Sequence, residues 1–572
     1  MEPGGREGLV RKPSQGLRSR SLVSICPTLY IPCNVMPPST TPDRKRPAVV
    51  EKLASYVQGV WHTAPDEGTT VLNAVTGEVV AQVSSTGIDM AGVLDHARGI
   101  GGSALRELTF HQRADLLKQL AGHLSERKDE LYTLSAASGA LHRDAVIDVD
   151  GGITTLFVFA SKGRKELPDD TVLLDGASEQ LGRGGRFFGR HVYLPLHGAA
   201  IQINAYNFPV WAFLEKLGPA ILAGLPTVVK PATQTSYLAA VAARQVIESG
   251  ILPEGSVQFV AGSLGDLFEH LTGQDLVTFT GSADTAARLR AHPAIARRST
   301  RFNAEADSLN CSILGPDAGP GTAEFDLFVR ALVDEMTIKT GQKCTAIRRA
   351  FVPRPMLAEV AEATRSLLAR VTVGNPAVPD VTMGPVVSLA QREEVRRATK
   401  ELATAATVVS GDPDHCEPVD ADPGRGAFMT PLLLLADDPR PDVLHEVEPF
   451  GPVSTLMPFD SVGDVVGLAA RGQGSLAGSI VTHDPAFARE VVIGTGPWHG
   501  RLLILDRDDA AESTGHGSPL PHLVHGGPGR AGGGEELGGI RAVKRHLQRV
   551  AVQGSPDMIA AVEGAAAAGA TS

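Results

Sequence analysis

Short apolar runs alternate with longer stretches of helical period along most of the chain. Asp115 to Leu134 carries Leu116, Leu117, Leu120, Leu124 and Leu131 near a 3.6-residue repeat, which predicts a helix. Gly198 to Asn204 is a short apolar run ending in turn chemistry, and Thr227–Val229 is a β-branched burst before Lys230-Pro231. Val257–Val260 and Leu276–Thr280 read as two more strands, followed by Gly262 and Gly281. Helical stretches at Ser236–Ser249 and Ala283–Ala291 separate them. Strands alternating with helices predict a parallel sheet with right-handed crossovers from about residue 195 to 300. A second block follows: a helix over Phe325–Met336, a strand at Arg349–Val352, a helix over 356–370, then strands near Val408, Val453–Leu456 and Ile480. Residues 411–427 are polar and Pro/Gly-rich, a surface loop. Asp169 to Tyr193 is strand-like but interrupted, and the tail from Ala560 is Ala/Gly-rich and expected to fray. The fold class is α/β.

Composition narrows this picture. With 572 residues the chain exceeds one core, and 62 Gly and 39 Pro beside 5% aromatics suit a turn-rich α/β enzyme. The formal charge of −11 argues against broad nucleic-acid binding. That charge is uneven: residues 1–48 hold eight basic and three acidic residues and eight of the prolines. They read as a disordered basic, Pro-rich arm, with translation expected to begin near Met36. Five cysteines form no even framework, so a reducing, cytoplasmic compartment is expected. No apolar run approaches the roughly 18 residues a membrane span needs.

One cysteine stands out. Cys344, in Gly341-Gln342-Lys343-Cys344-Thr345-Ala346, follows an apolar helix and is flanked by Lys339, Lys343, Arg348 and Arg349. Nearby positive charge lowers a thiol pKa and favours the reactive thiolate, although a buried structural cysteine would read the same way. Asn207, before Phe208-Pro209, offers an amide that can stabilise an oxyanion or simply form an Asx turn. Gly281 and Ser282 open a helix after a strand, a place suited to a pyrophosphate. A Gly-x-Gly-x-x-Gly string at Gly527–Gly532 is discounted, because its preceding segment is a poor strand and Glu535-Glu536 would repel phosphate. It is expected to be a tightly folded loop lining a ligand channel. His516, His522 and His525 have no acid or Cys at ligand spacing, so no metal site is expected.

In order and spacing, Asn207-Phe208-Pro209, Lys230-Pro231-Ala232, Phe279-Thr280-Gly281-Ser282, Glu305, Gly341–Cys344 and Glu448-Pro449-Phe450-Gly451-Pro452 resemble the aldehyde dehydrogenase superfamily. The resemblance runs from about Val49 to Pro556. Phe302 to Asn310 departs from the usual Glu-x-Gly-Gly pattern. Together with Glu512–Gly517 and His525–Gly539, it is similar to the branch acting on coenzyme A-linked semialdehydes. Within that branch the dehydrogenase half of the phenylacetate ring-opening enzymes comes first, acting on 3-oxo-5,6-dehydrosuberyl-CoA semialdehyde. The 3,4-dehydroadipyl-CoA semialdehyde dehydrogenases of aerobic benzoyl-CoA degradation come next.

The resemblance implies a Rossmann-like cofactor domain (49–167 and 192–304), an α/β catalytic domain (305–530), a small β oligomerisation arm (168–191 with 543–556) and a flexible tail (557–572). It implies Cys344 as nucleophile, Glu305 as the water-activating base and Asn207 as oxyanion donor. It places the cofactor on Lys230, Thr233, Gly281, Ser282, Glu448 and Phe450. Thr233 stands where NAD-preferring members commonly carry Glu, so NADP is expected over NAD. The implied partners are the semialdehyde substrate and further copies of the chain. The ring-opening enzymes' hydratase-like domain has no counterpart before Ser572, so a separate enoyl-CoA hydratase is expected. The alternatives are an acylating or general aldehyde dehydrogenase and a non-catalytic channelling subunit, the last opposed by an intact Cys344, Glu305 and Asn207.

Overall fold

The computed structural model describes residues 51–564; the basic arm, and the tail from residue 565, lie outside the described residues. Two seven-stranded sheets organise the rest. The first runs Arg301–Glu305, Leu276–Thr280, Ala200–Ile203, Thr227–Lys230 and Val257–Phe259, all parallel. Ser55–Val57 and Val60–His62 extend it antiparallel at one edge. Its inner strands bury both faces, which is why they read as continuous apolar runs rather than alternating ones.

The second sheet runs Thr407–Ser410, Leu432–Leu435, Val453–Phe459, Arg349–Pro353, Cys311–Leu314, Ser475–Val481 and His499–Leu505. Only its first pair is antiparallel. The expected domain boundary at 304/305 moves slightly. Glu305 closes the first sheet, paired with Thr280, and Cys311 opens the second, so the crossing lies within 306–310.

The expected helix over Asp115–Leu134 is two helices, Phe110–Ser125 and Lys128–Ser135. Arg127 leaves helical geometry at φ −122°, and the break lets Leu117, Leu120, Leu124 and Leu131 enter one core. Thr109 and Gln112 start the first helix with a reciprocal capping box. The following helix, His142–Glu166, has 25 residues and was not signalled by the apolar pattern. Its buried face mixes Val149, Ile153, Leu156 and Phe159 with Asp144, Asp148 and Gly152. Gly152 lets it lie on the helix Pro209–Leu222, where a β-carbon would come within 3.0 Å of Trp211 Cα.

The β arm is present as Leu173–Gln180, Phe188–Pro195 and Leu547–Gly554, antiparallel, with Arg549 opposite Tyr193 and Gly554 opposite Phe188. Its middle strand runs past the expected end at 191 to Pro195, and the last strand starts at Leu547 because Ile540–Arg545 is helical. The expected flexible tail is corrected for 557–564, while 565–572 lies outside the described residues. Pro556–Val562 is a helix that buries Ile559, and Glu563 accepts from Arg190 (2.6 Å) and Ser178 (2.8 Å), so docking on the arm orders this part.

Candidate active site

The helix Ala323–Thr337 ends in a strained turn. Lys339 and Thr340 take positive φ (56° and 55°), where β-carbons are crowded. Two contacts hold them there: Lys339 N donates to Asp144 Oδ1 (3.1 Å), and Thr340 Oγ1 donates to Gly384 O (2.9 Å). At Gly341 a β-carbon would stand 2.2 Å from Gly451 O, so only glycine fits this crossing. Asn310 Nδ2 then donates to the carbonyls of Cys344 (2.8 Å) and Ala346 (3.0 Å). From Lys339 through Pro353 every residue is buried except Cys344. The turn therefore presents one sulfur from an otherwise sealed segment.

Two buried side chains meet that sulfur. His525 Nε2 lies 4.0 Å from Cys344 Sγ and 3.3 Å from Glu305 Oε1. Burial and the Glu305 carboxylate push the Cys344 thiol well above its ordinary value. Burial would raise Glu305 as well, but the charges of His525 and Lys216 hold its carboxyl well below the usual range. Burial works to lower His525, and Glu305 overcomes it.

The expectation that flanking cations lower the Cys344 pKa is corrected in its outcome: Lys343 acts in that direction, but burial, Glu305 and Glu215 outweigh it. Lys343 pairs with Glu335 (2.7 Å), and Lys339 lies over the Phe208 ring. Arg348 donates to Gly451 O and Gly341 O, and Arg349 to Leu309 O and Leu468 O. Each cation has a structural partner elsewhere, and the strongest charge acting on the thiol, Glu305, is negative.

A buried charge cluster adjoins the site: Lys216 Nζ stands 2.9 Å from Glu536 Oε2 and 3.1 Å from Glu215 Oε1. Arg501 approaches with its Nε and one terminal nitrogen buried and without a hydrogen-bond partner among the described residues. None of His525, Glu215, Lys216, Glu536 and Arg501 was singled out as a site residue from sequence. As single residues, His525 was weighed as a metal ligand and Glu536 as a charge that disfavours phosphate; both also lie in the run His525–Gly539 that marks the resemblance.

Asn207 arrives between the strand Ala200–Ile203 and the helix Pro209–Leu222. It is buried and lines a small cavity with Tyr206, Ser138, Lys339 and Gln342, against the turn that carries Cys344. The other expected residues gather at the carboxyl ends of the first sheet's strands, where open α/β sheets take ligands. Lys230 ends its strand, and Thr233 opens the short turn that follows. Ser282 caps the helix Ala283–Arg290, and Gly281 N donates to Glu305 O (3.1 Å). Glu448 accepts from Ser308 N (3.1 Å) and is pushed up to about 7, chiefly by burial. Phe450 stacks edge-on to Tyr206 and under Arg348. Buried atoms of Gln202, Tyr206, Thr280 and Glu448 in this region have no hydrogen-bond partner among the described residues.

The glycine-rich string at 527–532 packs on the Glu305 strand. Ala531 O accepts from Ala306 N (3.0 Å), Ala304 O accepts from Gly534 N (3.1 Å), and β-carbons at Gly532 or Gly534 would strike Ala304. It is a backbone clamp beside Glu305. The segment before it, expected to be a poor strand, forms a short one, Val524–Gly526, paired with Glu535–Leu537. The three histidines do not converge: His516 contacts Ser479 and Thr345, and His522 is exposed.

Comparison with known proteins agrees with this geometry. The aldehyde dehydrogenase family model matches residues 61–495. The chain is 46% identical over 480 residues to 3,4-dehydroadipyl-CoA semialdehyde dehydrogenase of Aromatoleum evansii, covering 83% of this chain and 93% of that one. It is 48% identical over 183 residues to protein MaoC of Klebsiella aerogenes, covering 32% of this chain and 52% of that protein. In fold it is similar to betaine aldehyde dehydrogenase of Staphylococcus aureus, solved with NAD+, at a TM-score of 0.75 and 21% identity, over 88% of this chain and 95% of the other. With a family match over most of its length, and a thiol beside a buried carboxylate at the matching positions, the chain belongs to the aldehyde dehydrogenase family, oxidoreductases that act on aldehydes.

Proposed function

We propose that the protein oxidises a coenzyme A-linked semialdehyde to the carboxylic acid, using NADP in preference to NAD. The observation that carries this reading is the 46% identity, over nearly the full length, to a dehydrogenase of such a substrate. It also favours 3,4-dehydroadipyl-CoA semialdehyde as the first chain to assay, ahead of the phenylacetate-derived 3-oxo-5,6-dehydrosuberyl-CoA semialdehyde.

The residues support each step. Cys344 attacks the aldehyde carbon, and Asn207 with the Cys344 backbone N–H holds the oxygen that becomes negative. Glu305 takes the thiol proton on the way in and passes it on to solvent. Ionised again after oxidation, it takes a proton from the water that attacks the thioester, so release needs no free coenzyme A. The unpartnered Thr280 and Glu448 oxygens and the Ser282-capped helix fit the hydroxyls and phosphates of a dinucleotide. When bound, that cofactor supplies the hydride acceptor. Lys230 and Thr233 would face its adenosine ribose, and the lack of a carboxylate at 233 leaves room for a 2′-phosphate.

The test is steady-state NADP reduction with a coenzyme A-linked semialdehyde beside a free aldehyde of equal length. We expect kcat/KM at least about tenfold higher for the linked substrate, an acid product, and a loss of more than about 1,000-fold in Cys344→Ala. Equal efficiency on both aldehydes would overturn the substrate reading, and a strict need for free coenzyme A would overturn the role of Glu305.

A further inference from the structure

Among the described buried histidines, His499 also meets a sulfur (Cys311 Sγ, 3.4 Å) and His546 also has an unpartnered nitrogen, but His525 alone meets both a sulfur and a carboxylate. His516 contacts Ser479 Oγ (2.8 Å) and Thr345 O (2.9 Å), and His445 contacts Arg349 (3.0 Å) and Pro439 O (2.7 Å). Both are fully partnered within the scaffold. His525 is equally buried, yet its Nδ1 has no partner among the described residues, and its Nε2 goes to the sulfur and carboxylate expected to react. An ionised carboxylate only accepts hydrogen bonds, so the nitrogen facing Glu305 Oε1 carries the hydrogen. That same N–H lies beside Cys344 Sγ.

The backbone fixes this ring in place. Val524–Gly526 pairs with Glu535–Leu537, with His525 opposite Glu536. Gly526 has φ 143°, and its carbonyl lies where a β-carbon on Gly500 would be, 1.5 Å away. Only glycine fits at 500 against this carbonyl, so the strand carrying His525 packs directly on His499–Leu505, which positions the imidazole for its partners.

We propose that His525 is a catalytic partner of Cys344: its Nε2–H, seated between Glu305 and the sulfur, donates to the thiolate formed when Glu305 removes the thiol proton. The S–H bond breaks and its proton passes to a Glu305 oxygen. The electron pair stays on sulfur, where the imidazole N–H steadies it until the S–C bond to the aldehyde forms. This answers a difficulty of the site. Glu305 and Glu215 both disfavour a thiolate at 344, and Lys343, the nearest cation in sequence, is paired to Glu335. The charges facing the pair are Glu305, Glu215 and Lys216 from the first sheet and its helix, Glu536 across the hairpin, Lys343 from the turn, and Arg501 from the neighbouring strand. Among them only His525 brings a donor to the sulfur.

The proposal rests on Cys344 as the nucleophile but not on any substrate. The test therefore reads the thiol without one, and failure of the substrate assay leaves it standing. Cys344 alkylation by iodoacetamide in the full-length protein is followed by mass spectrometry from pH 5 to 10, with Cys344→Ala as the blank. In His525→Phe we expect alkylation to slow about tenfold or more across this range, as a thiol midpoint shifted up by about one pH unit requires. His525→Gln keeps an N–H donor and should recover at least half of that shift. If Phe alters thermal unfolding, His525→Leu is read in its place. A wild-type profile in the Phe or Leu variant, or a shift in Gln as large as in Phe, would overturn the proposal.

Discussion

On the proposed reading, the choice between two cofactors reduces to the absence of a carboxylate at Thr233. The turn Thr233–Thr235 follows the strand that ends in Lys230, and burial draws the Lys230 ammonium below its usual value. A carboxylate at 233 would stand against a 2′-phosphate at a repulsion of about 4 kcal/mol per charge pair for a separation near 4 Å. Thr233→Glu should therefore raise KM for NADP at least about tenfold while changing KM for NAD less than about threefold. Initial rates over a cofactor series would show it, and a uniform change in both constants would speak against this contact. Residues such as Cys344, Glu305 and Asn207 were legible because each sits in a short string of fixed spacing. His525 was not, because it reaches Cys344 across 181 positions through a hairpin made of glycines. The four cations near Cys344 misled for the converse reason: closeness along the chain says nothing of where long side chains find partners.

At the scale of elements, the helix His142–Glu166 holds the site together. Asp144 and Asp148 lie one turn apart on its buried face. Asp144 accepts from Lys339 N and so fixes the turn before Cys344. Asp148 accepts from Trp211 N (2.8 Å), capping the helix that carries Glu215 and Lys216. These two acids, with the Gly151-Gly152 pair, interrupt the apolar period, which is why the longest helix went unread while shorter, cleaner ones such as Ser236–Glu248 were found. Asp148→Ala should cost about 1–3 kcal/mol in urea unfolding, from two amides left without an acceptor. Burial pushes the Asp148 carboxyl up to about 6 from its ordinary 3.8. The folded state thus keeps its proton to higher pH than the unfolded one, and wild-type stability falls as pH rises between those values. Asp148→Asn has no such proton. Relative to wild type it should gain stability, by up to about 3 kcal/mol, as pH goes from 4 to 7. A pH-independent difference would mean that Asp148 is ionised throughout.

For the whole molecule, the three-stranded arm is the feature that a single chain leaves unexplained. Its strand order puts Leu173–Gln180 and Leu547–Gly554 at two edges, each with backbone groups open to a further strand. Large apolar side chains stand exposed on it: Leu181 at 49%, Phe187 at 45%, Val550 at 37% and Leu194 at 36%. The helix Pro556–Val562 folds back on the sheet, tied by Glu563 to Arg190, so the arm is a built surface. Its sequence showed an interrupted, strand-like stretch but could not show what it pairs with, because the third strand lies more than 350 residues further on. An acidic body with a few exposed apolar rows favours association through those rows, since like charges elsewhere oppose random contact. We expect sedimentation equilibrium to give at least twice the protomer mass for the wild type. Leu181→Asp combined with Val550→Asp should shift the population towards single chains with an unchanged circular dichroism spectrum. A monomeric wild type would remove the arm from assembly. A mutant of unchanged mass would move the contact to another face.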